Sequence, residues 1–203
     1  MKVIGITGRS GCGKSSVTHF LSERGYPCID ADLIAREVLY PGSVCLARLC
    51  ERFGADILDE TGSLRRRLLA NRAFSTQEGT AALTQITQPE IFRRIGAALE
   101  EAERQGAKLA FVDGAVIVGT PFEKRCDRLV LITAPYEVSV QRICERDGIT
   151  PEMARRRLDA QMPLEVLRAH ANYELINDGA PEELFSKSAA LLHTLEQEAY
   201  GKE

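Results

Sequence analysis

The stretch "KVIGITGRSGCGKSSVTHF", Lys2 to Phe20, restricts what this chain can fold into more than any other. Its opening, "KVIGIT", is a short apolar run rich in β-branched residues and closed by glycine, which reads as a buried strand. Val17, Phe20 and Leu21 then fall at i, i+3 and i+4, the spacing of one helix face. Between them, Gly8-Arg9-Ser10-Gly11-Cys12-Gly13-Lys14-Ser15 fits G-x-x-x-x-G-K-[ST] at every fixed position. Glycines let the backbone curl so that successive N–H groups point at phosphate oxygens. The helix that opens here adds its positive N-terminal end. Lys14 is expected on the β- and γ-phosphates of a nucleotide, and the Ser15 hydroxyl on Mg²⁺. A dinucleotide loop is excluded, because Gly11-x-Gly13 is followed by Ser16 and not by the third glycine that G-x-G-x-x-G requires. Cys12 lies at a helix N-terminus, where thiols gain reactivity. No base neighbours it in sequence, so it reads as the filler of a small-residue slot.

The rest of the chain repeats the strand–helix alternation. Gly25 is placed to end the first helix. "YPCID" gives a second strand ending at Asp30, "AKLAFVDG" (107–114) a third, "DRLVLIT" (127–133) a fourth and "NYELIND" (172–178) a fifth. Residues 31 to about 105 are helical in pattern: "ADLIAREVL" carries Leu33, Ile34 and Val38 on one face, Pro41-Gly42 breaks it, and runs follow near 43–53, 64–74 and 76–105. Residues 136–147 are helical, and Pro151 starts another helix at a favoured first-turn position. Leu184, Leu191, Leu192, Leu195 and Ala199 mark a final helix from Pro181. "AVIVGTPFEKR" (115–125) is left unassigned. Alternating strands and helices imply an α/β fold with a five-stranded parallel sheet flanked by helices. The helical block between the second and third strands reads as an inserted subdomain.

At 203 residues the chain suits one domain with an insert. A formal net charge of -3 makes it a poor general binder of nucleic acid, whose phosphate backbone demands excess Lys and Arg. The six cysteines include no C-x-x-C pair and there are three histidines, so a zinc framework has little support and reduced thiols in a cytoplasmic protein are expected. No apolar run approaches a membrane span, and the first residues are too short for a signal sequence.

Residues that can receive a phosphoryl group follow the second strand. "DADLIAR" supplies Asp30, Asp32 and Arg36 at the ligand-facing edge of an α/β sheet. A carboxylate there accepts a proton from an attacking hydroxyl, holds a Mg²⁺ water, or caps the following helix. Asp30 is assigned to the cap and Asp32 to the base. Asp113, ending the third strand, resembles a second metal-site aspartate of phosphate-loop proteins. Arg142 and Arg146 are four apart on one helix face, and with Arg157 across a turn they can close over phosphates. The basic runs "LRRRLL" and "ARRRLDAQ" read on their own as solvated helix faces.

Taken in order, "IDADLIAREV", "PGS", "FGADIL", "GSLRR", "ICERDG", "ARRRLDAQMPLE" and "INDG" resemble the dephospho-CoA kinase family over nearly the whole chain. The resemblance implies transfer of the γ-phosphate of ATP to the ribose 3′-hydroxyl of dephospho-CoA, with Mg²⁺. It implies a P-loop nucleotide-kinase-like core (1–30, 107–135 and 172–203), a helical CoA-binding insert (about 31–106) and a lid (about 136–165). It implies that Gly11, Cys12, Gly13, Lys14, Ser15 and Ser16 hold the ATP phosphates, with Ser15 as the metal ligand. Asp32 falls on the catalytic carboxylate, and Arg142 and Arg146 on lid arginines, with Lys14 and Arg146 acting on the transferred group. Asn177 and Gly179 fall at the loop that contacts the adenine, and Arg36 and Arg66 where the acceptor is held. ATP and dephospho-CoA are the implied partners, with no obligate protein partner evident.

The chain departs from the family pattern at several positions. Arg65 stands where the family often has aspartate, Gln88 where it has histidine, and Leu167 and Asn172 where it has lysine and aspartate. Ala115-Val116-Ile117-Val118-Gly119 lacks the usual proline and glutamate, and Arg9-Ser10 replaces glycine and an aliphatic residue. Arg9-Ser10 is read as a change at the point where the acceptor approaches. The missing glutamate and histidine make a related P-loop small-molecule or nucleoside kinase with an altered acceptor the second reading, and a kinase fold used only for binding is opposed by Lys14, Ser15, Asp32 and Arg146. A GTP switch is the remaining one: "DETG" (59–62) matches D-x-x-G, but it sits in the helical block as a plain turn, and no N-K-x-D motif exists.

Overall fold

The computed structural model describes residues 1–115 and 117–201. The chain divides into two compact units, Met1–Asp30 with the chain from Glu101 onward, and Ala31–Glu100.

The first unit is built on strand β1 (Lys2–Thr7), helix α1 (Lys14–Ser22) and strand β2 (Cys28–Asp30). Gly25 takes a left-handed turn (φ +82°) after α1, with its N–H donating to the Ser22 carbonyl and that of Tyr26 to Leu21. That pair of bonds closes the helix in the manner expected of a glycine there.

The helices of the second unit come next in the chain: α2 (Ala31–Glu37), α3 (Val44–Phe53), α4 (Arg66–Ala73) and most of α5 (Gln77–Arg104). Leu49, Ile57, Leu69 and Ala73 form their core. Ser43 caps α3 by accepting from the Leu46 N–H at 3.1 Å. Of the apolar face expected on α2, Val38 is buried while Leu33 is 47% exposed. "DETG" is a turn closed on one oxygen, Asp59 Oδ1, which accepts from the N–H groups of Thr61 and Ser63 at 2.9 and 3.0 Å. It leads into the antiparallel bridge Leu58–Leu64.

The first unit resumes with β3 (Leu109–Asp113), β4 (Arg128–Thr133), α6 (Tyr136–Asp147), α7 (Pro151–Asp159), α8 (Leu164–His170), β5 (Tyr173–Ile176) and α9 (Pro181–Tyr200). Helix α8, which follows Pro163, has no counterpart in the sequence reading. The five strands pair in parallel in the order β2-β3-β1-β4-β5. All five therefore end at one edge, and β1 lies at the centre. The unassigned stretch contributes a short 3₁₀ turn, Pro121–Arg125, and buries Ile117, Val118 and Phe122. Val116 lies outside the described residues. Among the described residues no helix is long and apolar enough to cross a membrane.

One sheet face buries Ile4, Ile6, Phe111, Val130, Ile132 and Leu175 against Val17, Phe20 and Leu21 of α1 and Leu184, Leu192 and Leu195 of α9. Phe111 is 2% exposed, and Tyr26 meets its ring edge-on, centroids 5.8 Å apart. Phe111→Ala removes a ring from this close-packed layer and is expected to lower stability by about 3–5 kcal/mol. Urea unfolding followed by circular dichroism measures it, and a loss below about 1 kcal/mol would show that the layer repacks.

Candidate active site

The loop between β1 and α1 leaves the sheet from its central strand, so other strand ends flank it. Two of its glycines are required by contact. A Cβ on Gly11 (φ +77°) would stand 2.5 Å from the Ser139 carbonyl oxygen of α6. One on Gly13 (φ +99°) would stand 2.3 Å from Asn177 Nδ2. The motif's glycines thus let α6 and the chain after β5 close on the loop. Lys14 opens α1 and donates from Nζ to the Gly8 carbonyl at 3.1 Å, curling back along the loop. Ser15 and Ser16 are exposed on the first helical turn.

Asn177 is the buried brace of this loop. It is 6% exposed, its own N–H donates to Thr133 at 2.7 Å, and its Nδ2 donates to the Cys12 carbonyl at 2.9 Å. Arg142, from α6, reaches the Gly11 carbonyl and Asn177 Oδ1 at 3.4 and 3.5 Å. Cys12 is buried, and burial pushes its thiol above the ordinary value, against the charge and backbone N–H of Lys14 that pull it down. A thiol held protonated is a poor nucleophile, which matches its reading as a filler.

Arg142 and Arg146 lie one turn apart on α6 but hydrogen-bond to different partners. Arg142 lies on the loop, whereas Arg146 pairs with its neighbour Asp147 through two bonds of 2.7 and 2.9 Å. Arg157 of α7 reaches the same carboxylate at 2.5 Å. The Arg146 hydrogen bond holds the Asp147 carboxyl below its usual range, with Arg157 helping.

Arg9 and Ser10, both partly exposed, hydrogen-bond to the segment that ends α7. Ser10 is clasped by Gln161: its N–H donates to Oε1 at 2.9 Å, and Gln161 Nε2 donates to its hydroxyl at 2.6 Å. Arg9 Nη2 donates to the Leu158 carbonyl in the last turn of α7. Sequence reasoning singled out Gln161 only as a motif letter, and no spacing rule brings it to a residue 151 positions away.

In the second unit, Asp32 lies in the first turn of α2 and is partly buried, one helical turn before the exposed Arg36. Arg66, at the start of α4, donates to the Arg36 carbonyl at 3.5 Å, so the two arginines are neighbours. Asp30 ends β2 in register with Asp113 on β3. Gly179, after β5, is exposed.

The family model described as "CoaE: Dephospho-CoA kinase" matches residues 2–183. The chain belongs to the dephospho-CoA kinase family. Membership makes it an enzyme of the kinase class. A dephospho-CoA kinase of Corynebacterium glutamicum is 39% identical over 93% of this chain and 94% of its own. Among solved structures, TT1252 from Thermus thermophilus superposes with a TM-score of 0.79 at 34% identity, covering 96% of this chain and 97% of that one. Dephospho-CoA kinase from Campylobacter jejuni shares the fold, with a TM-score of 0.71 at 23% identity over the full length of both.

Asn177→Ala leaves the buried Cys12 carbonyl without its amide donor. The expected cost is about 1–3 kcal/mol of stability, read by thermal or urea unfolding, together with weaker nucleotide binding. Unchanged stability and unchanged binding would show that the loop holds its shape without this brace.

Proposed function

We propose that this chain transfers the γ-phosphate of ATP to the ribose 3′-hydroxyl of dephospho-CoA, giving coenzyme A and ADP. The observation that carries this reading is a strand–loop–helix phosphate cradle within a chain that the family model covers almost end to end. In this reading the amides from Gly11 to Ser16 receive the ATP phosphates, backed by the positive end of α1. Lys14 turns from the Gly8 carbonyl to the β- and γ-phosphates. Arg142 already lies at the loop and adds charge beside the nucleotide. Arg146 stabilises charge on the group in transfer, exchanging the Asp147 carboxylate for phosphate oxygens. Asn177 acts on the nucleotide through the loop it braces, and Gly179 keeps the chain after β5 open beside the base.

Asp32 takes the proton of the 3′-hydroxyl as its oxygen bonds to the γ-phosphorus and the bond to the β-phosphate oxygen breaks. Arg36 and Arg66, adjacent on α2 and α4, hold anionic groups of the acceptor. Residues from about 31 to 106 form the acceptor-binding insert, about 136–165 the lid, and 1–30, 107–135 and 172–203 the core.

Mg²⁺ accompanies ATP in this reading. Among the described residues there is no cluster of three His, Cys, Asp or Glu side chains able to hold a metal by itself. An exposed Ser15 hydroxyl on the first turn of α1 suits an ion that keeps its waters and takes most of its ligands from phosphates. When bound, Mg²⁺ neutralises charge on the β- and γ-phosphates. The proposed setting is the cytoplasm, where ATP and a reducing environment for six free thiols coincide.

A coupled assay of ADP release with ATP and Mg²⁺ tests the reaction, comparing dephospho-CoA with adenosine, AMP, uridine and no acceptor. Turnover with dephospho-CoA well above the other arms is the expected outcome, and a rate equal to the blank sinks the proposal. Asp32→Asn is expected to cut kcat by about 10²-fold or more while leaving ATP affinity in place. A near-wild-type rate would remove Asp32 from the base role.

A further inference from the structure

The phosphate loop is tied to a distant segment by side chains that the proposed chemistry does not use. Gln161 follows the end of α7 and bonds Ser10 with both ends of its amide, its oxygen accepting from the backbone N–H and its nitrogen donating to the hydroxyl. Both bonds are partly buried. A second tie runs the other way. Arg9 extends to the Leu158 carbonyl, an acceptor that also receives the Gln161 N–H at 3.0 Å. The Arg9 charge therefore lies at the C-terminal pole of α7, where cations are favoured. Its Nε is buried with no hydrogen-bond partner among the described residues. The one hydrogen bond given for this guanidinium runs to the helix end.

These two ties act on consecutive residues, immediately before the amides from Gly11 onward that would receive phosphate. Amide N–H groups at a loop bind an anion well only when their directions are set before it arrives, because ordering them during binding subtracts from affinity. Gln161 is suited to that task. A primary amide presents an acceptor and donors in one plane, so it fixes both the N–H and the hydroxyl of Ser10 with a single side chain.

We infer that Gln161 is a positioning residue for nucleotide binding. Through Ser10 it pre-orients the phosphate loop and couples the loop's order to the segment that ends α7. The inference rests on the reading that ATP binds at this loop, and it adds a residue that touches neither ATP nor acceptor.

The test uses the full chain with Gln161→Ala, Gln161→Glu, Ser10→Ala and the Ser10→Ala/Gln161→Ala pair. ATP affinity is measured by calorimetry without acceptor, and amide hydrogen exchange is followed by mass spectrometry. Gln161→Ala is expected to weaken ATP binding about tenfold, the scale of one or two net hydrogen bonds, and to speed exchange across residues 9–13. The acceptor KM should stay as in the wild type. Gln161→Glu, which keeps an acceptor for the Ser10 N–H and can accept from the hydroxyl where Gln161 donates to it, should recover most of the slow exchange at residues 9–13, although its added charge opposes ATP. Ser10→Ala should cost less than Gln161→Ala, and the pair should be less than additive. Faster exchange confined to residues 151–170 with ATP affinity unchanged would reduce Gln161 to a structural residue and overturn the inference. Additive effects would overturn it as well. Should Gln161→Ala fail to fold, Ser10→Ala and Gln161→Glu decide by the same readouts. Failure of the wild type to bind ATP would sink the functional reading, and exchange at residues 9–13 would then decide the loop tie alone.

Discussion

The hydrogen bond from the Asn177 amide to the Cys12 carbonyl is the contact on which the rest of this site depends. A phosphate loop turns its N–H groups outward, so its carbonyls face inward and need donors. Asn177 supplies one from the end of β5, two strands away from β1 in the sheet. Parallel strands end at one edge, which is why a residue so distant in sequence arrives beneath the loop. The same approach explains why position 13 carries no side chain. A buried carbonyl left without a donor costs about 1–3 kcal/mol, more than an exposed ion pair of about 0–1 kcal/mol contributes. Loop shape therefore rests more on neutral amides and close backbone packing than on exposed ion pairs such as those at Asp147.

The charges have another distribution. Arg142 is drawn to the Gly11 carbonyl and to the Asn177 oxygen, so it adds positive potential at the cradle. Arg146 and Arg157 share Asp147 on an exposed surface. Such pairs are weak in water and screened by salt, so they keep the guanidinium groups oriented without holding them against a more highly charged polyphosphate. Arg36 and Arg66 form a separate basic pair within the second unit, with Asp32 one turn before Arg36 on the same helix.

The elements were legible because their signals are local. "KVIGIT" has the apolar, β-branched composition of a central strand, and Val17, Phe20 and Leu21 mark the buried face of α1. Pro151 opens α7 with Thr150 as its cap, accepting from the Met153 N–H. Pro89 lies within α5 without ending it. Helix α8 has no legible signal, because its short span buries only Leu167 and carries no repeating apolar face. Leu33 was placed inward by spacing but stands outward, since seven residues of α2 give too little length for periodicity to choose a face. The stretch around Ile117, Val118 and Phe122 was unassigned because its burial comes from irregular packing, which has no period.

For the site, sequence alone determined the phosphate cradle, since G-x-x-x-x-G-K-S is set by backbone stereochemistry within eight consecutive residues. It also determined the family, through motifs in a fixed order. Only the tertiary structure decided what each polar group is occupied with. It tied Arg9 and Ser10 to the end of α7, brought Asn177 under the loop, and gave Arg142 and Arg146 different partners. Those outcomes depend on hydrogen bonds between residues 10 and 161, or 12 and 177. Their partners are chosen by how the sheet brings chain segments together, and no spacing within the chain encodes that choice.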